Sequence, residues 1–358
     1  MDNICIAKEW ELVADRIKQN AKTCIVLGSV NSGKSTFCKF LVRKWTASKM
    51  CVGYVDSDVG QSTLGLPTTI SMKVFRDPPH PDDYSRPNGL HFVGNTSPEG
   101  FLLQTLHALR IMVDTCFQQG SEIALIDTTG FIDGPVARIL KFYKIEMLKP
   151  QWIIALQAQG EIEHLLRGYE RMGWQIIRLA SSKHVIVRSQ AERQRYRSEK
   201  YRAYFKRARV IPYPVTKLVF PSSILGVGQR VYPADIPKEI LANISDCWYM
   251  EKSGSELLIV ADQADTILPA DKLKKFFGIA TVVCINKSEL KDLLVGLHDK
   301  RNNTLGLGTI VDLDPITETL TLFTPVQDTH KIVTVHLGAL KIGQGGNETG
   351  KIKVIRYA

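Results

Sequence analysis

Residues 23–35 read Thr23-Cys-Ile-Val-Leu-Gly28-Ser-Val-Asn-Ser-Gly33-Lys34-Ser35, an apolar run that closes in the pattern G-x-x-x-x-G-K-[ST]. The apolar run predicts a buried parallel strand, and Ser35 to Trp45 predicts a helix with Phe37, Phe40 and Leu41 on one face. Strand, glycine-rich loop and helix in that order build a cradle for phosphate. Glycines let the backbone close around phosphate oxygens, and the helix N-terminus aims free N–H groups and its dipole at them. Lys34 neutralises charge between phosphates, and Ser35 can bind Mg²⁺. The expected binding set for a nucleoside triphosphate such as ATP is therefore Gly28, Ser29, Asn31, Ser32, Gly33, Lys34, Ser35 and Thr36.

Outward from this loop the same alternation continues. Residues 1–22 suggest an amphipathic helix, and Cys51–Asp56, His91–Gly94, Ile123–Asp127 and Trp152–Gln157 read as strands. Helices are expected over 99–118 and 135–147, and Pro78, Pro79 and Pro81 mark an exposed loop. The fold class that follows is α/β: a P-loop NTPase parallel sheet with helices on both faces. From Val210-Ile-Pro-Tyr-Pro214 onward the pattern changes to short apolar or alternating segments separated by turn residues. The expected division is residues 1–212 for the phosphate-loop domain and 213–358 for a smaller, mostly-β C-terminal domain, with a small barrel as one form it could take.

Composition excludes several classes. The chain has 358 residues, 44% of them apolar, and no apolar stretch approaches the roughly 20 residues that span a bilayer. Its start, Met1-Asp-Asn-Ile-Cys5, lacks the basic and apolar regions of a signal peptide, so a cytoplasmic protein with no membrane partner is expected. Seven cysteines form no metal-ligand spacing and read as reduced thiols. The net charge of +10 is concentrated between Lys183 and Arg209, where ten Lys or Arg face only Glu192 and Glu199. A run this one-signed points to a polyanionic partner more than to a solvated helix face.

Chemistry-bearing residues cluster at strand ends. Asp56-Ser-Asp58-Val-Gly-Gln61 lies at the carboxyl end of the second predicted strand, the edge that faces ligand in an open parallel sheet. Its two carboxylates could hold Mg²⁺ or take a proton from an attacking hydroxyl. Asp127-Thr128-Thr129-Gly130 follows another strand and could approach the γ-phosphate or its metal. The segment from 188 to about 208 has helical composition, and Arg193 and Arg197, four apart, share a face from which they could cover transferring phosphates. Tyr196, Tyr201, Tyr204 and Phe205 could stack bases or anchor the helix on the core. Asn286-Lys-Ser-Glu289 loosely matches the base-reading N-K-x-D of GTPases, with glutamate in place of aspartate and within the β region.

Taken in order, Gly28–Ser35, Asp56–Gln61, Gly94-Asn-Thr-Ser-Pro98, Asp127-Thr-Thr-Gly-Phe131, Arg193-x-x-x-Arg197 and Tyr204-Phe205 resemble the P-loop polynucleotide 5′-hydroxyl kinase family, the RNA 5′-kinases of tRNA splicing, mRNA 3′-end cleavage and pre-rRNA processing. The likeness covers roughly residues 10–210, and Leu305–Ile310 with Leu322–Val326 look like the family's C-terminal domain. It implies transfer of phosphate from ATP or another NTP to the 5′-hydroxyl of RNA or DNA, single-stranded or duplex. By position it implies that Lys34 and Ser35 hold triphosphate and Mg²⁺, with Asp56 and Asp58 as further metal ligands. Asp58 would be general base and Gln61 would position metal or substrate; Thr128, Thr129 and Gly130 would form a clasp by the phosphate loop, and Arg193 and Arg197 a lid. Phe131, where many members have tryptophan, and Arg188 and Arg195 would meet the substrate. The phosphate loop begins within 30 residues of the start, which points to a compact archaeal or bacterial type without the N-terminal β domain of eukaryotic members. The competing reading is a P-loop NTPase, GTPase included, that serves as an RNA-binding or assembly factor. The basic segment favours a nucleic-acid acceptor over water.

Overall fold

A computed structural model of the chain describes residues 8–19, 22–181, 188–221, 226, 228–241, 247–261, 269–314, 316–352 and 355–357. Lys183, first of the ten cations, and the start of the expected N-terminal helix lie outside these residues. The chain divides into two compact units, Met1–Arg197 and Ser198–Ala358.

The first unit is built on strands β1 (Thr23–Gly28), β2 (Val52–Ser57), β3 (Thr69–Phe75), β4 (Gly89–Phe92), β5 (Ile123–Thr128), β6 (Trp152–Gln157) and β7 (Ile176–Ala180). Their order in the sheet is β4-β3-β2-β5-β1-β6-β7. Neighbours from β2 to β7 pair in parallel, whereas β3 is antiparallel to both β2 and β4. The all-parallel expectation thus holds for five strands and fails at one edge. The chain between β2 and β3 is only 11 residues long, from Asp58 to Thr68, too short for a helical crossover.

Helices α1 (Lys8–Lys18), α2 (Lys34–Ala47), α3 (Leu102–Gln118), α4 (Gly134–Leu148) and α5 (Glu163–Arg171) cover the sheet, and α6 (Gln190–Phe205) runs out of this unit into the next. Successive strand residues point to opposite faces, and the cores separate accordingly. Cys24, Val26, Tyr54 and Leu125 pack with Trp10, Ile17, Phe37, Leu41 and Trp45 of α1 and α2. Ile25, Leu27, Val55 and Ile126 pack with Leu109, Met112, Ile145 and Leu166 of α3, α4 and α5. Burial on both faces explains why the stretches Cys24–Leu27 of β1 and Ile123–Ile126 of β5 are continuously apolar rather than alternating. All of the P-loop chemistry is left to the carboxyl edge.

The second unit holds β8 (Arg209–Pro214), β9 (Gln229–Arg230), β10 (Cys247–Ser253), β11 (Glu256–Ala261), β12 (Thr281–Asn286), β13 (Leu293–His298), β14 (Thr304–Asp314), β15 (Thr319–Thr324), β16 (Thr334–Ile342), β17 (Glu348–Lys351) and β18 (Ile355–Tyr357). They form a five-stranded sheet, β18-β12-β11-β10-β9, and a six-stranded one, β17-β16-β13-β14-β15-β8. The mostly-β expectation is met by two sheets rather than one barrel. Leu305–Ile310 and Leu322–Val326, the two C-terminal stretches of the resemblance, fall on paired neighbours, with Thr309 opposite Phe323 and Ile310 opposite Leu322. Asn286–Glu289 ends β12 in this unit, on a different sheet from the phosphate loop.

Candidate active site

The loop between β1 and α2 makes its turn with two left-handed residues, Asn31 at φ 61° and Gly33 at φ 87°. Glycine relieves the strain of that conformation. Ser29 donates to Glu161 at 3.1 Å, which ties the loop to the segment after β6. The Lys34 side chain is buried and its ammonium donates to the Ser29 carbonyl at 2.6 Å and to Ser32 Oγ at 3.3 Å. Burial pulls the Lys34 pKa down, and Asp127 and Asp58 pull it back up.

The two aspartates of β2's end are put to different uses. Asp56 is buried, and its oxygens accept from the backbone N–H of Asp58 (3.1 Å), Thr63 (2.7 Å) and Leu64 (3.0 Å) and from the Ser62 (3.1 Å) and Thr63 (3.3 Å) hydroxyls. It is the internal scaffold of the 58–64 loop. Asp58 is half-buried; its Oδ1 accepts from the N–H groups of Gly60 and Gln61, both at 3.0 Å. No hydrogen bond reaches its Oδ2 among the described residues. Asp58 thus has one oxygen without a hydrogen bond among the described residues, whereas both oxygens of Asp56 are engaged.

Asp127 at the end of β5 is 1% exposed. Tyr54 donates to its Oδ2 at 3.1 Å, and its buried Oδ1 has no hydrogen-bond partner. Burial, reinforced by Asp56, raises its pKa to about 6 against the pull of the Ser35 hydroxyl and Lys34. A buried carboxylate oxygen without a partner is unfavourable unless a cation or donor meets it. The sequence expectation names Asp56 and Asp58 as carboxylate metal ligands and gives Asp127 only an approach to the γ-phosphate or its metal; the hydrogen-bond partners distinguish the three.

Of Thr128, Thr129 and Gly130, the glycine packs directly against the phosphate loop. A Cβ on Gly130 would lie 2.6 Å from the Val30 backbone nitrogen, so only glycine permits this approach. Phe131, next in the chain, is half-buried. The basic helix α6 lies against the acidic loop: Tyr196 donates to the Ser62 carbonyl at 3.1 Å, and Gln61 Nε2 donates to the Arg193 carbonyl at 3.5 Å. Arg193 and Arg197 are partly exposed, Arg195 is exposed, and the exposed Arg188 sets its guanidinium 5.2 Å from the centre of the Tyr196 ring. Gln61 therefore meets helix α6, a contact that spacing alone gives no sign of. Residues 28–36, 56–61, 127–131 and 188–197 all belong to the first unit.

Two further lysines were missed. Lys141 and Lys144 on α4 are fully buried beneath the same strand ends. Their signal was a Lys-x-x-Lys spacing inside the apolar face formed by Leu140, Ile145 and Leu148.

Comparison with known proteins gives concordant matches. The family model described as "mRNA cleavage and polyadenylation factor CLP1 P-loop" matches residues 28–207. A polyribonucleotide 5′-hydroxyl-kinase of Thermococcus kodakarensis is 30% identical over 337 residues, covering 92% of this chain and 91% of its own. One from Methanocaldococcus jannaschii is 29% identical over 332 residues, covering 91% and 88%. Among solved structures, that of a wild-type Clp1p–Pcf11p complex superimposes with a TM-score of 0.59 at 14% identity, covering 93% of this chain and 78% of that one. The last is a likeness of fold.

Proposed function

This chain belongs to the CLP1 P-loop family, and from that premise we propose that it is a polynucleotide 5′-hydroxyl kinase, moving the γ-phosphoryl group of ATP or another NTP to the 5′-hydroxyl of RNA or DNA. The observation that carries the reading is Asp58: a carboxylate with one oxygen tied by two backbone N–H groups and the other unengaged, on a loop that the basic helix α6 touches. A hydrolase would need the cradle but not a cationic helix over the acceptor side.

In this reading Asp58 Oδ2 takes the proton of the 5′-hydroxyl as its oxygen attacks the γ-phosphorus. The bond from γ-phosphorus to the β–γ bridging oxygen breaks, and the nucleoside diphosphate leaves. The transition state is loose, so catalysis rests on positioning and on charge offset rather than on covalent help. Lys34 supplies charge between the β- and γ-phosphates, and Arg193 and Arg197 supply it from the lid. Gln61 joins acceptor loop to lid helix, while Arg188, Arg195 and Phe131 meet the polynucleotide. The residues present fit Mg²⁺: Asp127 Oδ1 is buried and without a partner, with the Ser35 hydroxyl acting on the same carboxylate. Held there, Mg²⁺ would offset the negative charge of the transferring phosphate. Asp56, saturated by the 58–64 loop, serves by shaping that loop.

The test is incubation with γ-labelled ATP and 5′-hydroxyl RNA, 5′-hydroxyl DNA or no acceptor. Label on an oligonucleotide supports the kinase. Free labelled phosphate alone would establish the NTPase reading instead.

A further inference from the structure

Helix α4 carries Lys141 and Lys144 into the interior of the first unit, each with no exposed surface. Fully buried lysines are rare without a paired charge. Here the partners are neutral. Lys141 Nζ donates to Thr128 Oγ1 at 3.0 Å and to the Thr129 carbonyl at 2.7 Å, and Lys144 Nζ donates to Ser57 Oγ at 3.1 Å. Both acceptor hydroxyls pass the link onward: Ser57 donates to the Asp127 carbonyl at 2.8 Å and Thr128 to the Val26 carbonyl at 2.7 Å. The two lysines therefore tie the carboxyl ends of β2, β5 and β1 together from beneath. Ser57 stands between Asp56 and Asp58, and Thr128 follows Asp127 directly.

Stability does not explain this arrangement. Desolvating an ammonium is unfavourable, and an apolar side chain of similar volume at such a position is often as stabilising or more so. Burial pushes the Lys144 pKa down to about 8 and that of Lys141 well below the usual lysine value, while Asp58 and Asp127 act in the opposite sense on both. The charges that Lys144 answers to are those of the reaction site.

We propose that Lys144 is a positioning residue for phosphoryl transfer: through Ser57 it fixes the end of β2 and so the aim of Asp58, and its ammonium presents positive charge to that carboxylate from below. Lys141 holds the Thr128–Thr129 segment in the same way. The inference rests on the kinase reading above, and its signature is a defect in turnover separated from nucleotide binding and from folding.

Lys144→Met keeps the volume and orphans no polar group, because Ser57 still donates to the Asp127 carbonyl. With wild type active on a 5′-hydroxyl oligonucleotide, this variant should lose at least about tenfold in kcat while its Kd for ATP moves less than about threefold. Its melting temperature should hold or rise. Ser57→Ala is the second variant; it should show the same kcat-specific loss, and the double variant should be no worse than the poorer single one. A kcat within about threefold of wild type, or parallel loss of kcat, ATP affinity and melting temperature, would overturn the proposal while leaving the kinase intact. Failure of wild type to label any oligonucleotide would overturn both.

Discussion

At the scale of single residues the proposed roles make separable demands. Asp58→Asn preserves the shape of the 58–61 turn but removes the proton acceptor, so transfer should fall by about 100-fold or more with ATP affinity nearly unchanged. Single-turnover labelling beside equilibrium binding measures both, and robust transfer by the variant would dismiss Asp58 as base. Lys34→Ala should lose transfer and weaken ATP binding while the protein still unfolds cooperatively, since the lysine is buried mainly against its own loop. Gly130→Ala brings a methyl to 2.6 Å from the Val30 nitrogen and should loosen the phosphate loop, read as a weaker ATP affinity. The chain's letters single out Lys34, Asp58 and Gly130 as candidates, because loop chemistry fixes residue type at fixed spacing. They did not give the division of labour between Asp56 and Asp127, naming Asp56 as a metal ligand and giving Asp127 only an approach to the γ-phosphate or its metal. That division depends on who donates to each oxygen, and five donors from residues 58–64 consume Asp56 while Asp127 Oδ1 has none. Lys141 and Lys144 were invisible for a related reason: a lysine among apolar neighbours reads as a helix edge until its burial is known.

At the scale of elements, α6 is proposed as lid. Arg197→Ala should slow transfer more than it weakens ATP binding, because charge over the equatorial phosphate oxygens matters most in the transition state. Equal losses in both would make the helix a binding clamp. In the second unit, β13 buries His298 completely, with its Nδ1 near the Asn302 carbonyl at 3.1 Å and its ring 4.3 Å from that of His336. Burial lowers its pKa from 6.5 to about 4. The folded state then binds fewer protons than the unfolded one below pH 6.5, so the stabilisation is complete above that pH and drains away as pH falls toward 4, on the order of 3 kcal/mol in total. Urea unfolding at pH 7.5 and 5.0 should show the loss in wild type and a flatter response in His298→Gln; an equal response in both would contradict it. Elements that carry the P-loop order were legible from apolar runs: β1, β2, β5, β6, α3 and α4 lie within a residue or a few of where periodicity puts them. The antiparallel β3 was not among the expected strands, although Ile70, Met72 and Val74 alternate with Ser71 and Lys73 and Pro67 and Pro78 flank the segment.

At the scale of the molecule, the segment from Lys183 to Arg209 holds most of the excess charge of a chain whose net charge is +10. Affinity for a 5′-hydroxyl oligonucleotide should therefore fall steeply with added salt, with a log–log slope proportional to the phosphates contacted. A flat response would argue against phosphate contacts. The fold class was readable because a parallel sheet with two covered faces leaves unbroken apolar strands, whereas the arrangement of the second unit into two sheets depends on long-range pairing such as β11 with β12 and β8 with β15. The most direct measurement of what this chain does is the fate of the γ-phosphate. Purified protein with γ-labelled ATP, Mg²⁺ and a 5′-hydroxyl RNA should leave label on the RNA 5′ end, abolished in Lys34→Ala and Asp58→Asn; label released only as free phosphate, at the same rate with and without RNA, would contradict it.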